Sequence, residues 1–393
     1  MPMKDFETPK RTSQATNAQR FGRQIVFLDI VRFMAALMVL IFHVGFRSFS
    51  KYPMGWHTSV GRFARVGWVG VPIFFVLSGF VIAYSAQNAT ASEFLKSRIL
   101  RLYPAVWICS TITLLLQIST AGFSFGLLHA WLDALTLSPV GPIIDGSYWT
   151  LRVEISFYAL IFLLLVFRWF RYIGQTILAV SVLSITFLSL GFAVDHGLLE
   201  SWRGIQTLPS FLIASRWARL LLIDYAPHFA VGVFLWLLFF RGVTAFRIAA
   251  LGTCFLGAML SVRVEWQEVV LSSNESSSLT LCILLWVAAV IAIVLSVRYN
   301  IPIVEWLGPK RTARARMLGL MTYPLYLLHQ DIGEYVIQIL YGHIPDAAIM
   351  VLTLAVCLAL AYGVIRYAEK PIRERLHRLL HSGRQQLAAA TLP

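Results

Sequence analysis

Apolar residues are gathered along this chain into ten stretches of about twenty residues, separated by polar or charged segments. A helix needs roughly 20 predominantly apolar residues to cross a bilayer, so each stretch has the length of a transmembrane helix. The stretches lack the alternation of a membrane β-strand, which favours an all-α integral membrane protein over a barrel. The ten predicted spans are roughly Ile25–Phe46, Val66–Ser85, Leu102–Thr120, Ser147–Val166, Ile173–Val194, Arg219–Phe240, Val243–Val262, Leu279–Val297, Met317–Leu340 and Ala347–Tyr367.

The basic residues predict how these spans are oriented. Ten spans place both termini on one side, and 23 of the 33 Lys and Arg residues then fall on that side, against seven on the other. The positive-inside rule makes the richer side cytoplasmic. We therefore expect a cytoplasmic tail at 1–23, a membrane domain at 24–368 and a cytoplasmic tail at 369–393, with an interfacial or re-entrant piece at Phe123–Leu137. The net charge of +14 is mostly this topology signal, so nucleic-acid binding loses its main support.

The composition agrees with a membrane protein and narrows the chemistry. The chain is 58% hydrophobic and 13% charged, whereas about a quarter of the residues in an average soluble domain are charged. The four cysteines lie far apart in apolar stretches without the spacing of a zinc or redox site, and the histidines show no metal-ligand spacing such as HExxH. We therefore expect neither a disulfide framework nor a metal site.

Two ionisable residues in the first span are the leading functional candidates, because a charge inside a span is costly. Arg32 and His43 are eleven residues apart, which places them on one helix face about 16 Å apart along the axis. With a cytoplasmic N-terminus, Arg32 lies in the inner half of the bilayer and His43 near its outer end. A structural explanation is also open, in which Arg32 pairs with Asp29 and His43 reaches the outer headgroups.

Glu154, in the fourth span, has a predicted depth that matches that of His43. A carboxylate beside an imidazole fixes the tautomer and raises the basicity of the ring, so Glu154 is expected to orient His43 as a general base. A packing role, with Glu154 paired to Arg152, is the alternative. Trp149 is a candidate for lining the cavity, although aromatic residues also gather at membrane interfaces without any chemical role.

The second span contains Gly67, Gly70, Pro72 and Gly79, more helix breakers than a plain anchor needs. This pattern predicts a broken helix that lines a cavity, with close helix packing through the small residues. Ser78 lacks the GxSxG elbow and an evident neighbouring base, so it is expected to line the cavity rather than act as a nucleophile.

Two further pairs of residues suggest binding surfaces. Arg98 and Arg101 lie three residues apart on one helix face before the third span and are suited to clamp the phosphates of a cytoplasmic donor. Anchoring by the positive-inside rule explains them equally well. Tyr326 and His329, in the ninth span, are candidates for lining the cavity, and His329 is equally explained as a packing histidine.

Taken in order, these residues resemble the acyltransferase 3 family of membrane-bound acyltransferases. The most diagnostic feature is the Arg and His separated by ten residues in the first helix, present here as Arg32 and His43. Five further blocks resemble those of the family in sequence and order: GVPIFFVLSGF, FLKSRILRLYP, SYWTLRVEISFY, TYPLYLLH and AEKPIR. Thr150 stands where the family pattern has Ser, and the Pro that often follows the FY pair is absent. Neither departure undermines the resemblance.

The resemblance implies an O-acyltransferase, usually an O-acetyltransferase, of the bacterial cytoplasmic (inner) membrane. Its donor substrate would be cytoplasmic acyl-CoA, held near Arg98 and Arg101, with no bound cofactor. Its partners would be the lipid bilayer and a glycan or glycolipid acceptor. His43, oriented by Glu154, would act as general base or carry the acyl group transiently, and Arg32 would position the donor or stabilise the oxyanion.

Several alternatives stay open at this point. A secondary transporter or flippase is the rival function, because many spans with intramembrane charges also permit transport. A lipid-binding structural subunit is a third possibility. The sequence does not identify the acceptor, the length of the acyl chain or the oligomeric state. Trp56, Trp202 and Trp217, in predicted outer loops, are candidates for stacking on sugar rings.

Overall fold

A computed structural model describes residues 25–53, 60–195, 216–273 and 277–390 of the chain. This part of the chain is helical and contains no strand, which confirms the predicted all-α class. The helices, in chain order, are α1 (Val26–Gly45), α2 (Val60–Ala64), α3 (Gly70–Ala86), α4 (Ala91–Ala121), α5 (Phe125–Thr136), α6 (Tyr148–Val166), α7 (Ile173–Asp195), α8 (Arg216–Leu220), α9 (Ala226–Arg241), α10 (Ala245–Ser273), α11 (Leu279–Arg298), α12 (Asn300–Leu340), α13 (Asp346–Gly363) and α14 (Lys370–Ala390).

Eight helical segments of the described chain are long and apolar enough to cross a membrane, and each overlaps one of the ten predicted spans. The other two predicted spans coincide with α9 and with the C-terminal part of α12. α9 begins at Ala226 rather than at Arg219 and has 16 residues, fewer than the roughly 20 that a span needs. α12 carries Asp331 and Glu334 within its apolar stretch. A multi-pass helical membrane protein is thus supported, whereas ten spans and cytoplasmic termini remain predictions.

The predicted interfacial piece at Phe123–Leu137 forms the short helix α5, which has 12 residues. The Ser124 hydroxyl accepts a hydrogen bond from the Leu127 N–H and caps its start. The helix ends at Leu137, whose φ of 56° is left-handed. Twelve residues extend about 18 Å, too short to cross the hydrocarbon core.

α1 lies between α3 and α12 and packs very closely against both. A Cβ added to Gly70 of α3 would come within 2.4 Å of the Ala35 carbonyl oxygen of α1. A Cβ added to Gly319 of α12 would come within 2.4 Å of the Asp29 Cβ. Only glycine permits such an approach, so the small residues of α3 and α12 fix the position of α1.

α3 and α9 cross through a second pair of glycines. A Cβ on Gly79 would lie 2.1 Å from the Phe229 carbonyl oxygen, and a Cβ on Gly232 would lie 2.1 Å from that of Val76. The expected close packing through small residues is therefore confirmed. The expected break in the second span is wrong, because α3 runs without interruption from Gly70 to Ala86. Pro72 falls in its first turn, where a missing backbone N–H costs no helical hydrogen bond.

The α3–α9 crossing predicts a large difference between two glycine-to-alanine variants. Gly79→Ala should lower the free energy of unfolding by about 1–3 kcal/mol, because its methyl group would overlap the backbone of α9. Gly252→Ala, in α10, is the matched control, because an added Cβ there meets nothing within 4 Å. Thermal unfolding in detergent measures both variants. Equal melting temperatures would contradict the crossing.

Candidate functional site

Arg32 faces a cavity of about 790 Å³ that lies beside the N-terminal half of α1, and this space is called the arginine cavity here. It is enclosed mainly by α1, α3, α4, α6 and α12. The predicted site residues that line it are Arg32, Ser78, Arg98, Arg101, Glu154 and Tyr326. Three guanidinium groups therefore share one cavity with a single carboxylate. That imbalance favours an anionic ligand.

Glu154 is held by two hydroxyl groups within the arginine cavity. The Ser78 hydroxyl donates to Glu154 Oε1 at 2.7 Å, and the Tyr158 hydroxyl donates to the same oxygen at 2.6 Å. Because Ser78 and Glu154 come from α3 and α6, their hydrogen bond ties these two helices together. The expectation that Ser78 has no neighbouring base is therefore wrong, since a carboxylate is its direct partner.

The expected contact between Glu154 and His43 is not formed. Glu154 lies in the arginine cavity, whereas His43 lines two cavities beside the C-terminal end of α1. The alternative pairing with Arg152 is not formed either, because that guanidinium donates to the carbonyl oxygens of Gly141 and Pro142. Hydropathy placed Glu154 within its own helix, but its depth relative to α1 depends on how α6 packs.

The arginines of the cavity have distinct surroundings. The Arg98 guanidinium lies over the rings of Phe94 and Tyr158, at 5.5 and 5.7 Å from their centroids, as in a cation–π contact. Arg32 has a carboxylate at 3.9 Å, that of Asp29, one turn away on α1. The structural pairing considered for Arg32 is thus present, and Arg32 lines the cavity at the same time.

His43 faces His329 across the interface between α1 and α12. Their ring centroids are 4.8 Å apart and their planes are inclined by 68°. Both rings line a cavity of about 740 Å³, called the polar cavity, together with Arg47, Ser48, Lys51, Gln330 and Glu334. Arg32 and His43 thus lie beside different cavities, both of which residues of α12 also line.

The tautomer of His329 is set by a backbone group. His329 Nδ1 lies 2.7 Å from the carbonyl oxygen of Tyr326, and a carbonyl can only accept, so Nδ1 carries the proton. His329 Nε2 is then an acceptor in the neutral ring. It is buried and has no hydrogen-bond partner in the described part of the chain. A packing role for His329 therefore explains the contact of Nδ1 but not the position of Nε2.

Lys51 closes one edge of the polar cavity by an ion pair with Glu334 of α12. The hydrogen bond to this carboxylate raises the pKa of Lys51 above its usual value. Lys51 belongs to the segment that follows α1, so the pair connects that segment to α12.

A third cavity, of about 1040 Å³, adjoins the polar cavity and shares His43, Arg47 and Gln330 with it. Its walls include Trp149 and Tyr225, whose ring centroids are 5.5 Å apart, so it is called the aromatic cavity. The Arg219 guanidinium lies 5.3 Å from the Trp149 centroid. Trp149 thus lines the aromatic cavity. Trp56, Trp202 and the Trp217 side chain lie outside the described residues.

Tyr326 lies where the arginine cavity meets the aromatic cavity. Among the described lining residues, Tyr326 and Val71 belong to both. The Tyr326 hydroxyl lies 2.9 Å from the Thr150 hydroxyl of α6. Thr150, which replaces the serine of the family pattern, keeps a hydroxyl at this contact.

The start of α6 is fixed against α12 by Asp145, which is 1% exposed. Asp145 Oδ1 accepts from the Ser147 N–H at 2.7 Å, and Oδ2 accepts from the Asp331 N–H at 3.3 Å. Burial and, secondarily, the Asp331 carboxylate raise the pKa of Asp145 to about 7. Asp145 thus connects the helix that carries Glu154 to the helix that carries His329.

Sequence reasoning missed several residues of the aromatic cavity. Arg219 begins a predicted span, and Glu265 and Glu268 lie beyond the predicted span Val243–Val262. α10 instead continues to Ser273, and all three residues line the aromatic cavity. An acidic pair at i and i+3 that continues an apolar helix was the available signal.

The chain resembles known proteins over most of its length. The model of a family described as "Acyltransferase domain" matches residues 25–366, which include every cavity residue named above. An O-acetyl transferase of Shigella phage Sf6 is 30% identical over 147 residues, which are 33% of this chain and 43% of the phage protein. The match thus spans less than half the length of that relative. No solved structure matches the chain.

The pKa of Asp145 predicts a pH dependence of stability. The folded chain keeps a proton on this carboxyl that the unfolded chain releases above about pH 4. Because the pKa is raised on folding, the stabilisation is complete at low pH and is lost as the pH rises towards about 7. Between pH 5 and pH 8, the melting temperature should fall less in Asp145→Asn than in the wild type. Thermal unfolding across this pH range measures the difference. Parallel profiles would contradict the assignment.

Proposed function

The chain belongs to the acyltransferase 3 family, and on that premise we propose that it is a membrane-embedded O-acyltransferase, specifically an O-acetyltransferase. The observation that carries the proposal is the separation of two kinds of group along α1. Arg32 lies with Arg98 and Arg101 in one cavity, and His43 lies with His329 in another. A cation-rich cavity suits an anionic donor, and a histidine pair suits proton transfer from a hydroxyl.

The donor in this proposal is acyl-CoA, bound from the cytoplasmic side at the arginine cavity. Arg98 and Arg101 bind its phosphates, because guanidinium groups form charge-assisted hydrogen bonds to phosphate oxygens. Arg32, deeper along α1, binds the donor by its positive charge and holds it with the acyl group directed towards His43.

Glu154 has a different role from the one expected for it beside His43. Its carboxylate accepts from Ser78 and Tyr158 and is the negative group among three arginines. We therefore assign it to positioning within the donor site, where it holds the walls from α3 and α6 together. In the described part of the chain, Glu154 therefore does not contact His43.

The acceptor in this proposal is a hydroxyl group of a cell-surface or exported carbohydrate, which enters from the side of the polar and aromatic cavities. His329 Nε2, an unpartnered acceptor, and His43, 4.8 Å away between ring centroids, are the candidate proton acceptors. When the hydroxyl oxygen attacks the acyl carbon, its proton passes to an imidazole nitrogen and the CoA thiolate leaves. The relative named an O-acetyl transferase supports acetyl as the group.

Loss of either residue on α1 should abolish transfer. His43→Ala is expected to lower acyl transfer by about 10²–10⁴-fold, as for removal of a general base, and Arg32→Ala by about 10²-fold, as for a misplaced donor. Mass spectrometry of surface glycans measures the base-labile acyl groups added in cells. Met34→Ala is the control, because Met34 lies on the same helix and is half exposed. Turnover near the wild-type level in a normally inserted variant would refute the role of that residue.

The donor assignment predicts a change in KM rather than in kcat. Arg98→Ala and Arg101→Ala should each raise the KM for acetyl-CoA, by about tenfold for each lost charge-assisted contact. The KM is measured from the rate at which the purified protein releases CoA in the presence of host glycan. Arg311→Ala, an exposed residue that does not line the cavity, should leave KM unchanged. An unchanged KM in both cavity variants would rule out these arginines as the donor site.

A further inference from the structure

Two side chains lie between the arginine cavity and the aromatic cavity, which His43 also lines. Tyr326 of α12 and Val71 of α3 are the described residues that line both. The polar cavity, which holds His43 and His329, shares no described lining residue with the arginine cavity. Among the described residues, the space near Arg32 therefore adjoins a cavity lined by His43 at Tyr326 and Val71.

The direct route along α1 is closed by backbone packing. Between Arg32 and His43, α3 approaches α1 so closely that a Cβ on Gly70 would lie 2.4 Å from the Ala35 carbonyl oxygen, and a Cβ on Gly67, just before α3, would lie 2.2 Å from that of Met38. Ala35 and Val39, on the same stretch of α1, are 1% and 2% exposed. Two helices at this separation leave no room for an acyl group between them.

Tyr326 is held across the path by contacts that a rotation of its side chain would break. Its ring lies 5.6 Å from that of Phe74 and 5.4 Å from that of His329, between centroids. Its hydroxyl makes one hydrogen bond, to Thr150. A single bond of this kind contributes about 0.5–1.5 kcal/mol, so the ring can leave its place without unfolding α12.

We propose that Tyr326 is the gate between the donor and acceptor sides of the protein. With the ring against Phe74 and Thr150, the arginine cavity is closed to the polar and aromatic cavities, and their water is kept from the donor. Rotation of the ring opens the path to His43. As an explanation of acyl transfer, the gate rests on the proposed function, but the closure itself can be tested without any acyl substrate.

The test measures access to a cysteine placed behind the gate. Thr322→Cys lies one turn before Tyr326 in α12 and lines only the arginine cavity. A membrane-impermeant methanethiosulfonate reagent with a sulfonate group suits a cavity lined by three arginines. Membrane vesicles are treated from the side on which Lys51→Cys, beside the polar cavity, reacts. With Tyr326 intact, Thr322→Cys should react about tenfold or more slowly than in Tyr326→Ala, because a gate open a tenth of the time or less lowers the rate by that factor.

Two companion variants separate gating from loss of volume. Tyr323→Ala removes the same side chain from a position that lines the arginine cavity alone, so it should leave Thr322→Cys protected. Tyr326→Phe keeps the ring and loses only the bond to Thr150, so its rate should rise by less than about tenfold. The four native cysteines are fully buried. Labelling of the parent protein, which has no added cysteine, measures their background reaction. Because an unfolded chain exposes its cysteines, the absence of labelling at the four native cysteines in each variant shows that it is folded.

Two results would overturn the gate. Rapid labelling of Thr322→Cys with Tyr326 intact would mean that the cavities are already continuous. Protection that persists in Tyr326→Ala, or is lost equally in Tyr323→Ala, would mean that another element closes the path. None of these results bears on acyl transfer, which the glycan measurement tests separately, so failure of the gate and failure of the proposed function are distinguishable.

Discussion

The arrangement of the site depends on the close contact of α1 with α3 and α12. Glycines at Gly70 and Gly319 let the neighbouring backbones approach α1 to distances that no side chain would allow. Arg32 and His43 project from α1 into separate cavities, each of which is also lined by residues of α12. The packing of α3 and α12 against α1 also fills the space between Arg32 and His43. One helix therefore supplies a residue to each of two separate cavities.

This separation accounts for the distribution of charge within the protein. The arginine cavity combines three guanidinium groups with Glu154, whose carboxylate is already hydrogen-bonded to Ser78 and Tyr158. The polar cavity has the two imidazoles, with one nitrogen of His329 bound to the backbone and the other without a partner among the described residues. A site that binds a multiply charged donor and activates a hydroxyl needs both environments. Their separation lets each keep its own access to solvent.

Much of this could be predicted from the sequence, because long apolar stretches and helical spacing are local properties. They place the helices, put Arg32 and His43 on one face, and identify Arg98, Arg101, Tyr326 and His329 as candidates. The relative depth of residues on different helices could not be predicted from the sequence. Glu154 and His43 lie at similar distances from the ends of their predicted spans, yet Glu154 packs beside Ser78. Hydropathy gives neither the offset nor the tilt of α6 relative to α1. Glu265 was missed for a related reason, since an apolar stretch ends before its helix does.

The central claim is that an acyl group passes from the arginine cavity to an acceptor on the opposite side of the membrane. The most direct measurement uses sealed right-side-out vesicles from cells that make the protein and carry their own surface glycans. With radiolabelled acetyl-CoA enclosed in the lumen, the account predicts base-labile label on the external glycans. Label that appears only when donor and glycan are on the same side of the membrane would contradict it.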